Sequence, residues 1–248
     1  PRRAAEGADI VLTMVSDDNA LAAVCEGDDG LLAGLASGTV HAVMSTIAPA
    51  TSERLSALHE ERGIAYLAAP VFGRPDMARA AKLSIVTAGP EAARTRLAPV
   101  FSAIGQRVFA VGDEASAANV VKLAGNFMIA AAIEAMGEAL ALAEKHGIDR
   151  EKAMEVYSST LFACPIYQNY GAAIAAERFQ PAGFRLALGL KDVSLVQQAA
   201  RAKTVPMPLA SLVADRLVAS MARGRGDWDW AGLARAIAED AGLPRDAT

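Results

Sequence analysis

A change of hydrophobic period near Gly112 constrains this chain more than any other feature. Before it, short runs rich in β-branched and aliphatic residues recur at 10–15, 41–45, 64–71, 83–88 and 107–111. Helical patterns lie between several of them, at 19–36 (interrupted by Gly-Asp-Asp-Gly at 27–30), 50–62 and 90–104. After Gly112 no strand signal returns. Helical periodicity runs over 115–146, where Gly147 stands as a C-terminal stop, and then over 150–158, 167–177, 184–202, 208–222 and 230–241. Strands alternating with helices indicate βαβ units and a mainly parallel sheet covered on both faces. The chain therefore reads as an α/β half joined by a long helix to an all-helical half. Thr51 or Ser52 is expected to cap the 50–62 helix and Pro90 to open the 90–104 helix. Gly63 and Gly105 are expected to end those two helices.

Composition narrows the function classes. With 53% hydrophobic and 21% charged residues, the chain is globular rather than disordered. Net charge is −4 and the Lys and Arg residues form no stripe, so nucleic acid is not expected as a partner. Cys25 and Cys164 lie far apart in a chain too large to need disulfide staples, which points to a reduced, cytoplasmic setting. His41, His59 and His146 look isolated, with neither metal-ligand spacing nor an evident triad, and no metal is expected. The most apolar stretch, 123–133, is too short to span a bilayer, and Glu134 and Glu138 put charge just beyond it, so no membrane association is expected. Pro1-Arg2-Arg3 leads into no apolar signal region, and the chain opens within a pattern and without Met; a preceding segment is expected.

Four segments carry possible chemistry. Val120-Val121-Lys122-Leu123-Ala124-Gly125-Asn126 places Lys122 and Asn126 four apart on one helix face, with Asn119 three residues before Lys122. An ammonium among apolar neighbours is poorly solvated, which suits it to acid–base work; a lysine snorkelling from a packed helix is the plainer alternative. Ser45-Thr46 ends one strand pattern and Met14-Val15-Ser16 another, where open parallel sheets bind ligands; a helix cap or turn would explain the hydroxyls equally. Phe72-Gly73-Arg74 closes a third strand pattern, where Gly73 would expose backbone N–H groups and Arg74 would grip a carboxylate, unless Arg74 is simply solvated. Lys191-Asp192 sits inside an apolar helix, as an ion pair orienting that helix would. The glycine fingerprint of dinucleotide binding is not found: Gly224-Arg225-Gly226 is followed by Asp229 where the last glycine belongs, with no strand before it, and Gly27, Gly30, Gly34 and Gly38 are wrongly spaced.

In this order and at these separations the four segments resemble the β-hydroxyacid dehydrogenase family, which includes 3-hydroxyisobutyrate dehydrogenases and glyoxylate/succinic semialdehyde reductases. The resemblance runs from Ala8-Asp9-Ile10-Val11 to Asp227-Trp228-Asp229-Trp230. It implies a Rossmann-type NAD(P)-binding domain over 1–112, incomplete at its N-terminus, and an all-α dehydrogenase domain over 113–248. By that resemblance Lys122 is the catalytic lysine, and Ser45 and Asn126 meet the substrate; Gly73 and Arg74 are expected to meet it from their place at the end of a strand. Met14, Val15, Asn19, Thr46 and Lys191 would contact NAD or NADP. The implied reaction is hydride transfer between nicotinamide and a small β-hydroxy acid or its aldehyde or keto form. The implied partner is a small acidic or carbonyl substrate, and the apolar C-terminal helices are expected to bury against a second copy, in a homodimer or homotetramer.

Two departures stand out. The family's first, Gly-rich βα unit is absent, so roughly 50 to 60 residues are expected to be missing before Pro1, where the βαβ unit that seats the pyrophosphate belongs. The loop that usually reads Ser-Gly-Gly is Phe72-Gly73-Arg74, keeping only Gly73. An imine reductase of the same architecture is the nearest alternative, weakened because such relatives generally replace the lysine that Lys122 retains. A non-catalytic module that keeps the fold is the other. A 6-phosphogluconate dehydrogenase would need a much larger helical domain.

Overall fold

A computed structural model describes residues 1–243 and divides them into two compact units, with the division between Ala124 and Gly125, inside one long helix. The first unit runs α1 (Arg2–Ala5), β1 (Ile10–Thr13), α2 (Asp18–Cys25), α3 (Leu31–Gly34), β2 (Val40–Val43), α4 (Pro49–Glu60), β3 (Ala65–Ala68), β4 (Val71–Phe72), α5 (Pro75–Arg79), β5 (Leu83–Ala88), α6 (Glu91–Ile104) and β6 (Gly105–Gly112). It ends in the first turns of α7 (Ser116–Lys145).

The sheet is mainly parallel, as expected, but it carries one antiparallel step at β5. β1, β2 and β3 pair in parallel, with Ile10 opposite Val40 and Val40 opposite Ala65. β5 then runs antiparallel to β3, at Ala68–Ala88, and to β4, at Val71–Ile85 and Phe72–Ser84. These pairs share one register, so β3 and β4 form a single edge along β5. Pro70 has no N–H to donate and splits that edge, although its carbonyl still accepts from Val86 N–H at 2.9 Å. The reversal has a plain cause. Residues 73–82 hold only the five-residue α5, and a parallel return needs a crossover of a dozen residues or more. The fourteen-residue α6 supplies such a crossover, and β6 accordingly lies parallel to β5.

Alternate strand residues feed two cores on opposite faces. Val43, Tyr66, Ala68, Val86 and Ala88 join Leu21 and Cys25 of α2 and Leu55 of α4. Val40, Ala42, Leu67, Leu83 and Ile85 join Ala93, Leu97 and Phe101 of α6. Period 2 in the strands and period 3.6 in the helices thus produce a sheet covered on both sides. Cys25 is one of these core residues, and burial pushes its thiol up to about 12.

Several local expectations shift. The 19–36 helix is two helices, and α2 is capped by Asp17, whose carboxylate accepts from Ala20 N–H at 2.8 Å. α4 opens at Pro49, so neither Thr51 nor Ser52 caps it; Ser52 is fully buried and its hydroxyl lies 3.1 Å from the Tyr66 hydroxyl. Pro90 stands one position before α6, and α1 and α5 are additional short helices.

The second unit is all-helical. After the rest of α7 come α8 (Arg150–Ser159), α9 (Pro165–Ala175), α10 (Leu186–Ala202) and α11 (Pro208–Ala222), then a 3₁₀ turn at Trp230–Gly232 and α12 (Leu233–Asp240). Its core gathers Ile133, Met136 and Leu140 of α7 around Leu186, Val193, Val213, Leu217, Trp230 and Leu233. Asp229 pins the last turn: its carboxylate accepts from Gly183, Phe184 and Ala231 N–H at 2.9, 3.2 and 3.1 Å. Among the described residues α7 alone has the length and mean hydropathy to cross a membrane, and half of that window is buried within the protein, as in a core helix. Glu134 in the middle of α7 is buried and accepts from Arg216 Nε at 3.1 Å; burial outweighs that pairing and raises its pKa.

Candidate active site

The carboxyl ends of β1, β2 and β4 bring two of the four sequence segments to one edge of the first unit, and the first turns of α7 bring Lys122 there from a third. The loop after β1 is tied to the loop after β2, because Val15 N–H donates to Ser45 Oγ at 2.7 Å. Asp18 Oδ1 accepts from Ala48 N–H at 2.9 Å, which fixes the same two loops one step further on. Ser45 is buried, so its hydroxyl accepts within the protein and keeps its own proton to donate elsewhere. Thr46 and Val15 are half-buried, while Met14 and Asn19 are exposed.

Gly73 follows β4 with φ near +150°, and a Cβ there would stand 2.6 Å from Leu83 Cδ2. Glycine is thus favoured by the backbone conformation, whatever ligand it meets, while the Leu83 side chain would have to shift for a larger residue. Arg74 occupies the N-cap position of α5 and is half-buried.

The first turns of α7 carry Asn119 and Lys122, both buried at 1% and 8% exposure. Lys122 Nζ sits 4.2 Å from the centroid of the Phe72 ring, which brings the ammonium to the carboxyl edge of the sheet. Both polar ends of the Asn119 carboxamide lack a hydrogen-bond partner. A buried amide left so carries a desolvation penalty of about 1–3 kcal/mol per group unless something else meets it.

In the second unit, Asn126 Nδ2 donates to Asp192 Oδ2 at 2.5 Å, and Lys191 Nζ lies 3.0 Å from Asp192 Oδ1. Asp192 is 1% exposed, so one buried carboxylate orients both the amide and the ammonium. The adjacent Lys-Asp is therefore an ion pair, as its sequence position indicated, and it has recruited Asn126 as well.

Two of the three histidines are not isolated, contrary to the expectation from their spacing. His41 of β2 and His59 of α4 meet Nδ1 to Nε2 at 2.8 Å. Thr13 Oγ1 lies 2.9 Å from His41 Nε2, and His59 Nδ1 lies 2.6 Å from Leu55 O. A carbonyl can only accept, so His59 Nδ1 carries a proton, His41 Nδ1 donates to His59 Nε2, and Thr13 donates to His41 Nε2. Burial pushes His41 down to about 3 and lowers His59 as well, against the Leu55 hydrogen bond that raises it. The sequence signal was slight: His41 stands in an otherwise apolar strand, and His59 lies four residues after Leu55 on the buried face of α4.

Comparisons with known proteins agree with this architecture. Residues 1–112 match the family model described as the NAD binding domain of 6-phosphogluconate dehydrogenase. Residues 116–237 match that described as NAD-binding of NADP-dependent 3-hydroxyisobutyrate dehydrogenase. The chain is 44% identical to the uncharacterized oxidoreductase YfjR of Bacillus subtilis, over 96% of this chain and 82% of that one. It is 33% identical to an NAD-dependent L-serine dehydrogenase of Pseudomonas aeruginosa, over 85% of this chain and 72% of the relative. Among solved structures, a 3-hydroxyisobutyrate dehydrogenase from Salmonella typhimurium superposes with a TM-score of 0.85 at 26% identity, covering 95% of this chain and 81% of that one. With both halves matched in order and more than four-fifths of a 44%-identical relative covered, the chain belongs to the β-hydroxyacid dehydrogenase family of NAD(P)-dependent oxidoreductases.

Proposed function

We propose that this protein interconverts a small hydroxy acid and its aldehyde or keto form, with Lys122 as the proton donor and acceptor. The observation that carries this reading is the placement of a buried lysine ammonium at the carboxyl edge of the α/β sheet, where open sheets of this kind bind their ligands. The nicotinamide supplies or removes the hydride. The protein's own part is to hold the carbonyl carbon against it and to manage one proton. In reduction the Lys122 ammonium protonates the developing alkoxide oxygen; in oxidation the amine takes the hydroxyl proton.

The residues present suit a nicotinamide cofactor. The unpaired Asn119 carboxamide offers a donor and an acceptor, the complement of another carboxamide; the fixed loops after β1 and β2 offer Met14, Val15 and Thr46, and the first turn of α2 offers Asn19. Ser45, Gly73 and Arg74 line the same edge and are assigned to the substrate, with Arg74 taking its carboxylate; Asn126 is assigned to the substrate and Lys191 to the cofactor. Residues 1–112 form the NAD(P)-binding domain and 113–248 the helical one, in a cytoplasmic homodimer or homotetramer that binds neither nucleic acid nor membrane.

Lys122→Ala tests the reading. It should lower kcat at least ~10²-fold in both directions, the usual contribution of a general acid–base group, while cofactor binding measured by nicotinamide fluorescence stays near the parent value. Near-parental turnover would remove Lys122 from the mechanism.

A further inference from the structure

Phe72 belongs to none of the roles above, and the family loop normally has a serine there. The residue is half-buried at the end of β4, its backbone paired opposite Ser84 of β5 and its side chain packed against the core that holds Tyr66 and Val86. The ring face points at the Lys122 ammonium, with Nζ 4.2 Å from the centroid, inside the roughly 6 Å range over which a ring quadrupole attracts a cation. Lys122 is 8% exposed, so water gives that ammonium little of its usual solvation and the ring contact counts for more than it would at a surface.

Four methylenes separate the ammonium from a helix backbone, and a lysine so tethered has many rotamers to lose. A proton donor must nevertheless stand within hydrogen-bond reach of one substrate oxygen, and small displacements from that geometry are costly. A serine hydroxyl at position 72 would offer the substrate a hydrogen bond and would take the ring face away from the ammonium. A ring fixed in a β ladder does the reverse.

We infer that Phe72 is a positioning residue for this chain's chemistry: its ring face holds the Lys122 ammonium at one place on the sheet edge. The inference rests on the reading of Lys122 as the proton donor. In exchange for a polar group that would touch substrate, the site gains a platform for the group that transfers the proton.

The test uses the full chain labelled with ¹³C at lysine Cε. Six lysines give six methylene signals, and Lys122→Arg identifies the one from Lys122. That signal should lie upfield of the other five, because protons near a ring face are shielded. Phe72→Leu keeps bulk and loses the ring; it should return the signal to the range of the others and lower kcat roughly 10- to 100-fold, the scale of a misplaced catalytic group, with cofactor affinity unchanged. Phe72→Tyr keeps the ring face, and should keep the upfield signal and restore most of kcat. A Lys122 signal at the ordinary position in the parent protein overturns the inference without any variant. So does a Phe72→Leu protein that keeps the parental kcat while the signal moves. Should Lys122→Ala turn over like the parent, the proton-donor reading fails first and the positioning role with it; an inactive Lys122→Ala beside an unshifted Lys122 signal sinks the Phe72 role alone.

Discussion

The buried chain Thr13–His41–His59–Leu55 makes acid stability a measurable property of the first unit. Its hydrogen bonds do not by themselves exclude a proton. If His41 Nε2 gains one, it donates to Thr13 Oγ1 instead of accepting, the hydroxyl turns, and every contact survives. What opposes protonation is the loss of water around a ring that is 0% exposed. The unfolded chain takes that proton near pH 6.5, whereas the folded one waits until about 3. The stabilisation is therefore complete above pH 6.5 and is lost as the pH falls through that window. From pH 7.5 to 5, His41 alone costs about (6.5 − 5) × 1.36, or roughly 2 kcal/mol, and His59 adds to the loss with the same sign. Urea unfolding at the two pH values, followed by far-UV circular dichroism, measures the slope. The reference is a protein carrying Thr13→Val, His41→Leu and His59→Leu, which removes the whole polar chain and leaves no orphaned partner except one helix carbonyl. It should lose about 2 kcal/mol less than the parent over the same range. Equal losses in both proteins, or a His41 ring proton that titrates near 6.5 in the folded state, would refute the reasoning.

Three further outcomes are expected. Lys191→Ala should raise the cofactor Kd roughly 10- to 150-fold, the worth of a charged hydrogen bond at about 1.5–3 kcal/mol, with a smaller effect on the chemical step; a titration that finds Kd unchanged while kcat falls would assign the residue otherwise. Arg74→Ala should raise KM for acidic substrates at least ~10-fold and spare neutral aldehydes, and identical kinetics across both classes would place the guanidinium away from the substrate. Gly73→Ala puts a side chain on a backbone with φ near +150° and pushes Leu83 Cδ2 aside, so the melting temperature should drop by the equivalent of roughly 1–3 kcal/mol, read by calorimetry.

How far the sequence reached depends on the range of each signal. Period 2 and period 3.6 are local, so the strands before Gly112, the helices after it and the thirty-residue α7 were legible from residues alone. So was the spacing of Lys122 and Asn126, because a helix fixes which residues share a face. Local signals could not give strand direction. That β5 runs against β3 and β4 depends on residues 73–82 being too short for a crossover. They could not show that His41 meets His59, or that Asp192 holds Asn126 across 66 positions, since packing a helix on a sheet or on another helix brings together residues with no sequence relation. Phe72 is the sharpest case. In the sequence it was an apolar departure in the loop that closes a strand, and only the tertiary structure, which pairs β4 with β5 and brings the first turns of α7 to its end, sets its ring 4.2 Å from Lys122 Nζ.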